Sequence, residues 1–353
     1  MDRPQLDPTF WAGKKVLVTG HTGFKGAWLC HWLLRLGAHV TGFALAPNTS
    51  PNLFDLLDLD SRMDSTFGDL RNYEVVQKTL HAAQPEIVLH LAAQALVRAS
   101  YDDPLTTFES NVMGTVHLLE AIRSAHALKV CLVATTDKVY RNLEQGVPFC
   151  EDDPLGGHDP YSASKAATEI VISSYRHSLF KDASPKLLSA RAGNAIGGGD
   201  WSADRIIPDA IRAWSNKQTL NVRRPNALRP WQHVLEPLFS YLILCQSAHE
   251  THYANYNIGP ATDDKMSVGE LIQQAQTCFG RGEFEFGTGD KGPHEAGLLQ
   301  LDASRIKNEL GIAPAWSSKE ALKRTMAWYK NQDGGANAQE LCDRDIEAFE
   351  ATT

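Results

Sequence analysis
Short aliphatic runs alternate with longer amphipathic stretches through the first half of the chain. The runs Lys15–Thr19, His39–Leu45, Ile87–Leu91 and Val130–Thr135 are too short for buried helices and are rich in Val, Ile and Leu, so each predicts a strand. Between them, Ala27–Leu36 and Val75–Ala83 have helical spacing, and Thr106–Ala125 places Val112, Val116, Leu119 and Ile122 on one helical face. Strand and helix in alternation predict an α/β fold with a doubly wound parallel sheet, because each crossover helix must cover a sheet face. Lys186–Ala192 reads as a further strand, after which the texture changes to a loop with Gly193, Gly197, Gly198 and Gly199 and then to short mixed elements. We therefore expect one unit over residues 1–192 and a smaller mixed α/β unit over 193–353, with a soft boundary and interleaved segments. The polar, acidic tail after Gln332 predicts a surface helix or a frayed end.

A length of 353 residues suits about two domains. With 43% hydrophobic and 22% charged residues the chain has enough apolar surface for a core, and no stretch of about 18 apolar residues predicts a membrane span. Met1-Asp2-Arg3-Pro4 leads into polar sequence without a secretory apolar region, so the expected compartment is the cytoplasm. A net charge of −8 argues against nucleic acid or an anionic membrane as partner, since both call for a basic field. The six cysteines are scattered without a C-x-x-C, which predicts reduced thiols and no zinc module. His249-x-x-His252 has metal-ligand spacing but no third ligand, so no metal is expected.

Candidate chemistry begins directly after the first strand, at Gly20-His21-Thr22-Gly23-Phe24-Lys25-Gly26, which opens onto a helical stretch. Glycines there let backbone approach a pyrophosphate at a helix N-terminus, where unpaired N–H groups favour an anion; the position in the first βα unit predicts a dinucleotide turn of the Rossmann type, with the spacing G-x-x-G-x-x-G rather than G-x-G-x-x-G. His39–Ser50 holds no acid and no Arg or Lys, so the usual sign distinguishing NAD from NADP is missing. Asn48, Thr49 or Ser50 are the hydrogen-bonding alternatives for a ribose, with Lys25 or His21 adding positive charge beside the phosphates and Asp69 accepting from an adenine amino group.

Pro160 suits the first turn of a helix and places Tyr161 and Lys165 on one face. A Lys ammonium beside a phenol lowers its pKa and fits it as a base toward a sugar hydroxyl. Thr135-Thr136-Asp137-Lys138 closes a strand at the carboxyl edge of the sheet, where open α/β folds bind ligands. There Thr136 suits a hydrogen bond to the reacting hydroxyl, and Asp137 with Lys138 supplies an acid and a base that simple alcohol oxidation does not need; a loop ion pair is the plainer reading of the two.

The glycine turn, H-L-A-A-Q (90 to 94), N-V-M-G-T (111 to 115), T-T-D-K (135 to 138) and P-Y-S-A-S-K (160 to 165) together resemble the extended short-chain dehydrogenase/reductases. R-A-G-N-A-I-G-G-G-D-W (191 to 201) and R-P-W-Q-H-V-L-E-P (229 to 237) narrow the resemblance to the CDP-glucose 4,6-dehydratase family, from about Phe10 to Tyr329. The resemblance implies a bound NAD, contacted at Gly20 to Gly26, Asp69, Leu70, Ala92, Tyr161 and Lys165. It also implies a CDP-sugar held by Gln94, Asn194, Arg205 and Arg229, with guanidinium forks on the diphosphate. The implied cycle is redox-neutral: Tyr161 takes the proton of the carbon-4 hydroxyl, Lys138 removes the carbon-5 hydrogen, and Asp137 protonates the hydroxyl departing from carbon 6. The product would be a 4-dehydro-6-deoxy sugar for deoxysugar and surface polysaccharide biosynthesis, made by a homodimer or homotetramer associating through Thr106–Ala125 and Tyr161–Leu179. A nucleotide-sugar epimerase or reductase would not need Asp137-Lys138, and a non-catalytic nucleotide sensor would not need Thr136, Tyr161 and Lys165.

Overall fold
The computed structural model describes residues 3–180, 185–287 and 299–352. Seven strands form its central sheet: β1 Lys15–Thr19, β2 His39–Ala44, β3 Asp64–Phe67, β4 Ile87–His90, β5 Val130–Thr136, β6 Lys186–Ala192 and β7 Asn255–Ile258. Their spatial order is β7-β6-β5-β4-β1-β2-β3 and every pairing is parallel, which is the doubly wound arrangement that the alternating pattern predicts. Successive residues of these strands feed opposite faces. Val16, Val18, Val130 and Leu132 enter one core, while Leu17, Val88, Cys131 and Val133 enter the other. Coverage on both faces explains why the strands are almost uninterruptedly apolar rather than alternating.

The longer helices are α1 Phe24–Arg35, α2 Tyr73–Ala83, α3 Gly114–Ile122, α4 Pro160–Ser178, α5 Ile206–Ser215, α6 Leu235–Gln246, α7 Val268–Phe279, α8 Ser318–Asp333 and α9 Ala338–Glu350. Val76 and Leu80 of α2, Leu118, Leu119 and Ile122 of α3 and Ile172 of α4 cover one face; Trp28, Trp32 and Leu33 of α1 join α6 and α8 on the other. Both α6 and β7 come from beyond residue 193, and β7 completes the sheet beside β6 in the register Tyr256↔Ala190.

Three stretches differ from the sequence reading. The single helix expected over Thr106–Ala125 is a short helix Pro104–Phe108, a π-helical turn Glu109–Met113 and then α3. The wider turn carries Asn111, whose Oδ1 accepts from Gln94 N at 2.8 Å and whose Nδ2 donates to Gln94 O at 3.0 Å and to Ser164 Oγ at 2.9 Å. Strand β3 has no apolar signature because it is a half-exposed edge of Asp, Ser, Thr and Phe. The C-terminal tail is the surface helix of the two alternatives rather than a frayed end, but its inner face is core: α9 buries Leu341, Cys342, Ile346 and Phe349 and is latched to α1 by His31–Asp343 (2.7 Å), Arg35–Asp343 (2.6 Å) and Trp32–Glu350 (2.8 Å). Its outward charge hides a narrow apolar stripe that only the partner helix makes sense of.

Candidate active site
The turn after β1 is built from backbone. Gly20 has φ +78°, and a Cβ there would lie 2.7 Å from Ala92 N; a Cβ on Gly26 would lie 2.0 Å from Gly20 O. Gly20 and Gly26 are thus required by the close packing of strand, turn and helix. Gly23 caps α1 without a side-chain hydrogen bond, and a Cβ there would meet only Gly20 O at 3.4 Å. The leading N–H groups of a helix of this length, beside an open backbone surface, fit a pyrophosphate. Thr22 Oγ1 donates to Leu45 O at 2.9 Å, tying the turn to the end of β2, and Phe24 sits against Gly197.

Of the residues expected at the dinucleotide, one side chain is turned into the core and the others make local contacts. His21 is fully buried, edge-on to Phe54 and stacked on Phe67, and fills the space over Gly42, where a Cβ would come within 2.4 Å of its ring. Burial lowers its pKa to about 4, so it is neutral at pH 7 and adds no charge beside the phosphates, contrary to the expectation. The Asp69 carboxylate is engaged by Arg71, through Nε at 2.9 Å and Nη2 at 2.7 Å, so an adenine amino group would have to share it. Leu70 is buried against Gly114, and Ala92 N donates to Thr19 Oγ1 at 3.2 Å. The Thr49 carbonyl accepts from Asn52 Nδ2 at 3.1 Å.

The catalytic candidates converge at the carboxyl end of β5. Asp159 caps α4, accepting from Ser162 N at 2.9 Å, with Pro160 in the first turn; Tyr161 N donates to Ser100 Oγ at 3.1 Å. One helical turn apart, Tyr161 and Lys165 are both buried. Lys165 Nζ donates to Ala134 O at 3.3 Å; burial lowers its pKa to about 8, against the pull of Glu169. Burial raises the Tyr161 pKa, opposed by the Lys138 charge and by a hydrogen bond to Thr136. Asp137 is 1% exposed, and its Oδ1 accepts from both Thr136 Oγ1 (2.9 Å) and Lys138 Nζ (3.0 Å). The ion pair of the plainer reading therefore exists, and it stands beside the phenol. Lys138 Nζ also donates to Asn194 Oδ1 at 3.2 Å.

A further cation, after Lys165 and Lys138, enters from α1. Burial, then the nearby charge of Arg205, pulls the Lys25 pKa down to about 8, with Asp137 opposing. Arg205 donates to Asp200 Oδ2 at 2.8 Å, and its charge reaches Tyr161. Arg229, half-buried in a two-residue strand opposite Met266, donates to Leu228 O at 3.0 Å. Gln94, expected as a sugar ligand, has its amide engaged within the protein. Its Nε2 donates to Leu96 O (3.0 Å) and Thr107 Oγ1 (2.9 Å), and its Oε1 accepts from Leu96 N (2.6 Å), so the amide braces its own loop. His252, of the weak histidine pair, meets Glu309 Oε1 at 3.0 Å.

Residues that the sequence reading quoted or passed over without a role complete the frame. His90 bridges Thr19 Oγ1 (2.6 Å) and Thr115 Oγ1 (3.1 Å), its pKa lowered to about 3 by burial. Glu169 sits one turn beyond Lys165 and receives Arg191 at 2.9 Å. Its position four residues after Lys165 is the one sequence signal that could have found it.

The sequence matches a family model described as GDP-mannose 4,6 dehydratase over residues 17–325. It is 42% identical, across 99% of both chains, to CDP-glucose 4,6-dehydratase of Salmonella typhimurium. With dTDP-glucose 4,6-dehydratase of Xanthomonas campestris it shares 26% identity over 89% of this chain and 92% of the relative. Among solved structures, DesIV, the dTDP-glucose 4,6-dehydratase of Streptomyces venezuelae with NAD and TYD bound, superposes with a TM-score of 0.78 at 24% identity, covering 92% of this chain and 99% of that one. UDP-glucose-4-epimerase of Stenotrophomonas maltophila with NAD bound gives 0.79 at 21% identity, covering 92% and 100%.

Proposed function
Because this chain belongs to the GDP-mannose 4,6 dehydratase family, within the extended short-chain dehydrogenase/reductases, we propose that it is an NAD-dependent lyase converting CDP-glucose to CDP-4-dehydro-6-deoxyglucose and water. The choice of cytidine nucleotide rests on the 42% identity to the Salmonella enzyme across essentially the whole chain. The observation that carries the reaction type is the buried Asp137, hydrogen-bonded to Lys138 at 3.0 Å beside Tyr161 and Lys165. Gly20 to Gly26 and the N-terminus of α1 would hold NAD, which would supply the hydride acceptor and donor that a redox-neutral cycle needs.

The residues of the chain do the proton work. Tyr161 takes the carbon-4 hydroxyl proton; the cationic Lys138 and Arg205 and the Thr136 hydroxyl favour its phenolate against the cost of burial. The resulting ketone acidifies carbon 5. The hydrogen bond from Lys138 Nζ to Asp137 is the path along which one proton moves, leaving the amine as base and the carboxylic acid as acid. The amine takes the carbon-5 hydrogen while the acid protonates the carbon-6 hydroxyl, and water leaves. When carbon 6 is reduced, Lys138 returns its proton to carbon 5. The proton gained by Tyr161 balances the one lost by Lys138, so the cycle closes through solvent.

Residues from about 193 onward, including Asn194, Arg205 and Arg229, serve as the nucleotide-sugar side of the site. Two copies pair through the helical segments around Pro104–Ile122 and α4, where Leu105 (69%), Met113 (46%) and Ile170 (61%) are exposed. Among the described residues no helix is long and apolar enough to cross a membrane, and a cytoplasmic role in deoxysugar supply for surface polysaccharides fits the whole. The decisive experiment is turnover against CDP-, dTDP-, GDP- and UDP-glucose with products identified by mass and NMR. CDP-glucose should give a 6-deoxy-4-keto product without net NADH. NADH accumulating in proportion to product would overturn the reading.

A further inference from the structure
Two residues beyond Lys138, the side chain of Tyr140 is sealed behind the catalytic turn, 2% exposed. Its ring lies parallel to Phe149 at 4.9 Å, with the Arg191 guanidinium 5.1 Å from its centre. Its hydroxyl donates to Asn257 Oδ1 at 2.6 Å and accepts from Arg191 Nη1 at 2.8 Å. Both partners are themselves held. Arg191 of β6 pairs with Glu169 of α4 at 2.9 Å, and Glu169 accepts from Thr135 at 2.5 Å and Ser189 at 3.0 Å. Asn257 of β7 donates through Nδ2 to Phe149 O at 2.8 Å and Asp302 O at 3.1 Å, and its N–H donates to Glu151 Oε1 at 2.9 Å.

This network grips the segment 135–140 at both ends, Thr135 before the acid–base pair and Tyr140 after it. Apolar residues of equal volume would commonly stabilise such an edge as well or better, so a buried Arg–Glu pair with a phenol contributes orientation above all. The other catalytic residues have separate supports: Tyr161 and Lys165 ride on α4 with its Asp159 cap, and Thr136 lies within the β5–β6 ladder. The turn Asp137–Val139 is capped by Thr136 on its N-terminal side, and on its C-terminal side Gly156 N donates to Val139 O at 2.8 Å and Tyr140 supplies the side-chain anchor.

We propose that Tyr140 is a positioning residue for the elimination step, its hydroxyl clamped between Arg191 and Asn257 so that Asp137 and Lys138 stand at a fixed reach from Tyr161. The assignment rests on reading Asp137 and Lys138 as the acid and base. Tyr140→Phe keeps the ring stack and removes the clamp. A displacement of about 1 Å at a reacting group costs on the order of 100-fold. Single-turnover NADH formation should therefore stay within about twofold of the parent, while 6-deoxy product release and solvent deuterium entry at carbon 5 slow by about 10- to 100-fold. Amide exchange over residues 136–141 should quicken. Arg191→Lys, which keeps a cation opposite Glu169 but cannot also reach Tyr140, should shift the ratio of elimination to hydride transfer the same way. Phe149→Leu is the packing control, since it loosens the stack but keeps both hydroxyl bonds; it should lower the melting temperature and leave that ratio unchanged. An unaltered ratio in Tyr140→Phe, or an equal shift in Phe149→Leu, overturns the positioning role. Asp137→Asn and Lys138→Met run in parallel separate the two claims: if they eliminate at the parental rate the acid–base reading fails, and if they lose elimination while Tyr140→Phe does not, the clamp alone falls.

Discussion

Alanine at Gly26 and alanine at Gly23 separate the two tasks of the dinucleotide turn. A methyl on Gly26 would sit 2.0 Å from Gly20 O, 2.7 Å from Gly20 C and 2.8 Å from His21 Cα, all backbone atoms that no rotamer change can move aside. Relief takes a shift of about 1.5 Å between α1 and the turn, from 2.0 Å to the roughly 3.5 Å of an ordinary contact. Overpacking of this kind costs about 1–3 kcal/mol. At roughly 2 °C per kcal/mol in a large chain, Gly26→Ala should melt about 2–6 °C below the parent. The same displacement moves the N–H groups meant for the pyrophosphate, and 3 kcal/mol of lost binding would be about 100-fold in affinity. Gly23→Ala meets only Gly20 O at 3.4 Å, and its φ of −79° suits alanine. Its apo form should melt within about 1 °C of the parent, as a surface change does, yet its methyl occupies the surface that the phosphates approach, so NAD binding should still weaken. Thermal melts without cofactor and NAD titration by calorimetry read the two effects apart. The reasoning is refuted if Gly26→Ala binds NAD and melts like the parent, or if Gly23→Ala is destabilised as strongly as Gly26→Ala.

Three further expectations come from buried groups. Tyr161→Phe keeps the ring in place and removes the base, so stopped-flow NADH formation should fall by about 10²–10⁴-fold with substrate affinity retained; near-parental rates would make Tyr161 a packing residue. Glu236 accepts from Ala315 N and Trp316 N, and burial raises its pKa to about 7. A raised carboxyl pKa stabilises the fold most below pH 4.5 and loses that contribution as pH rises through 7, so from pH 4.5 to 8 the stability of Glu236→Gln should gain on the parent by up to about 3 kcal/mol in urea unfolding. Parallel pH profiles would refute it. His21 should titrate near pH 4 by NMR because its neutral ring is buried; a midpoint above about 6 would mean the ring reaches solvent or an anion.

Local chemistry was legible in the sequence wherever one segment contains all that the chemistry needs. The glycine turn encodes its own tight geometry, and Pro160, Tyr161 and Lys165 share a helix whose period alone sets them on one face. The strand cores announced themselves because a parallel strand buried on both faces has to be apolar at nearly every position. The same local view misjudged His21. A histidine beside a phosphate turn looks like a cation until the absent side chain of Gly42, from a neighbouring strand, opens a slot for its ring. The contacts of Gln94 were equally out of view, its amide bonding to Leu96 and Thr107 across a loop.

Tertiary structure alone decided what requires two distant segments to meet. The tail after Gln332 looked peripheral because its apolar stripe is narrow and its partner, α1, lies some three hundred residues earlier, as the His31–Asp343 bond across 312 positions illustrates. The bond from Lys138 to Asn194 and the clamp of Tyr140 between Arg191 and Asn257 join residues from separate strands and loops. The sequence by itself determined which groups can carry chemistry, through residue type and periodicity. Their distances, burial and charge states came from packing, because desolvation and hydrogen bonding depend on neighbours that the chain brings together only when the sheet is complete.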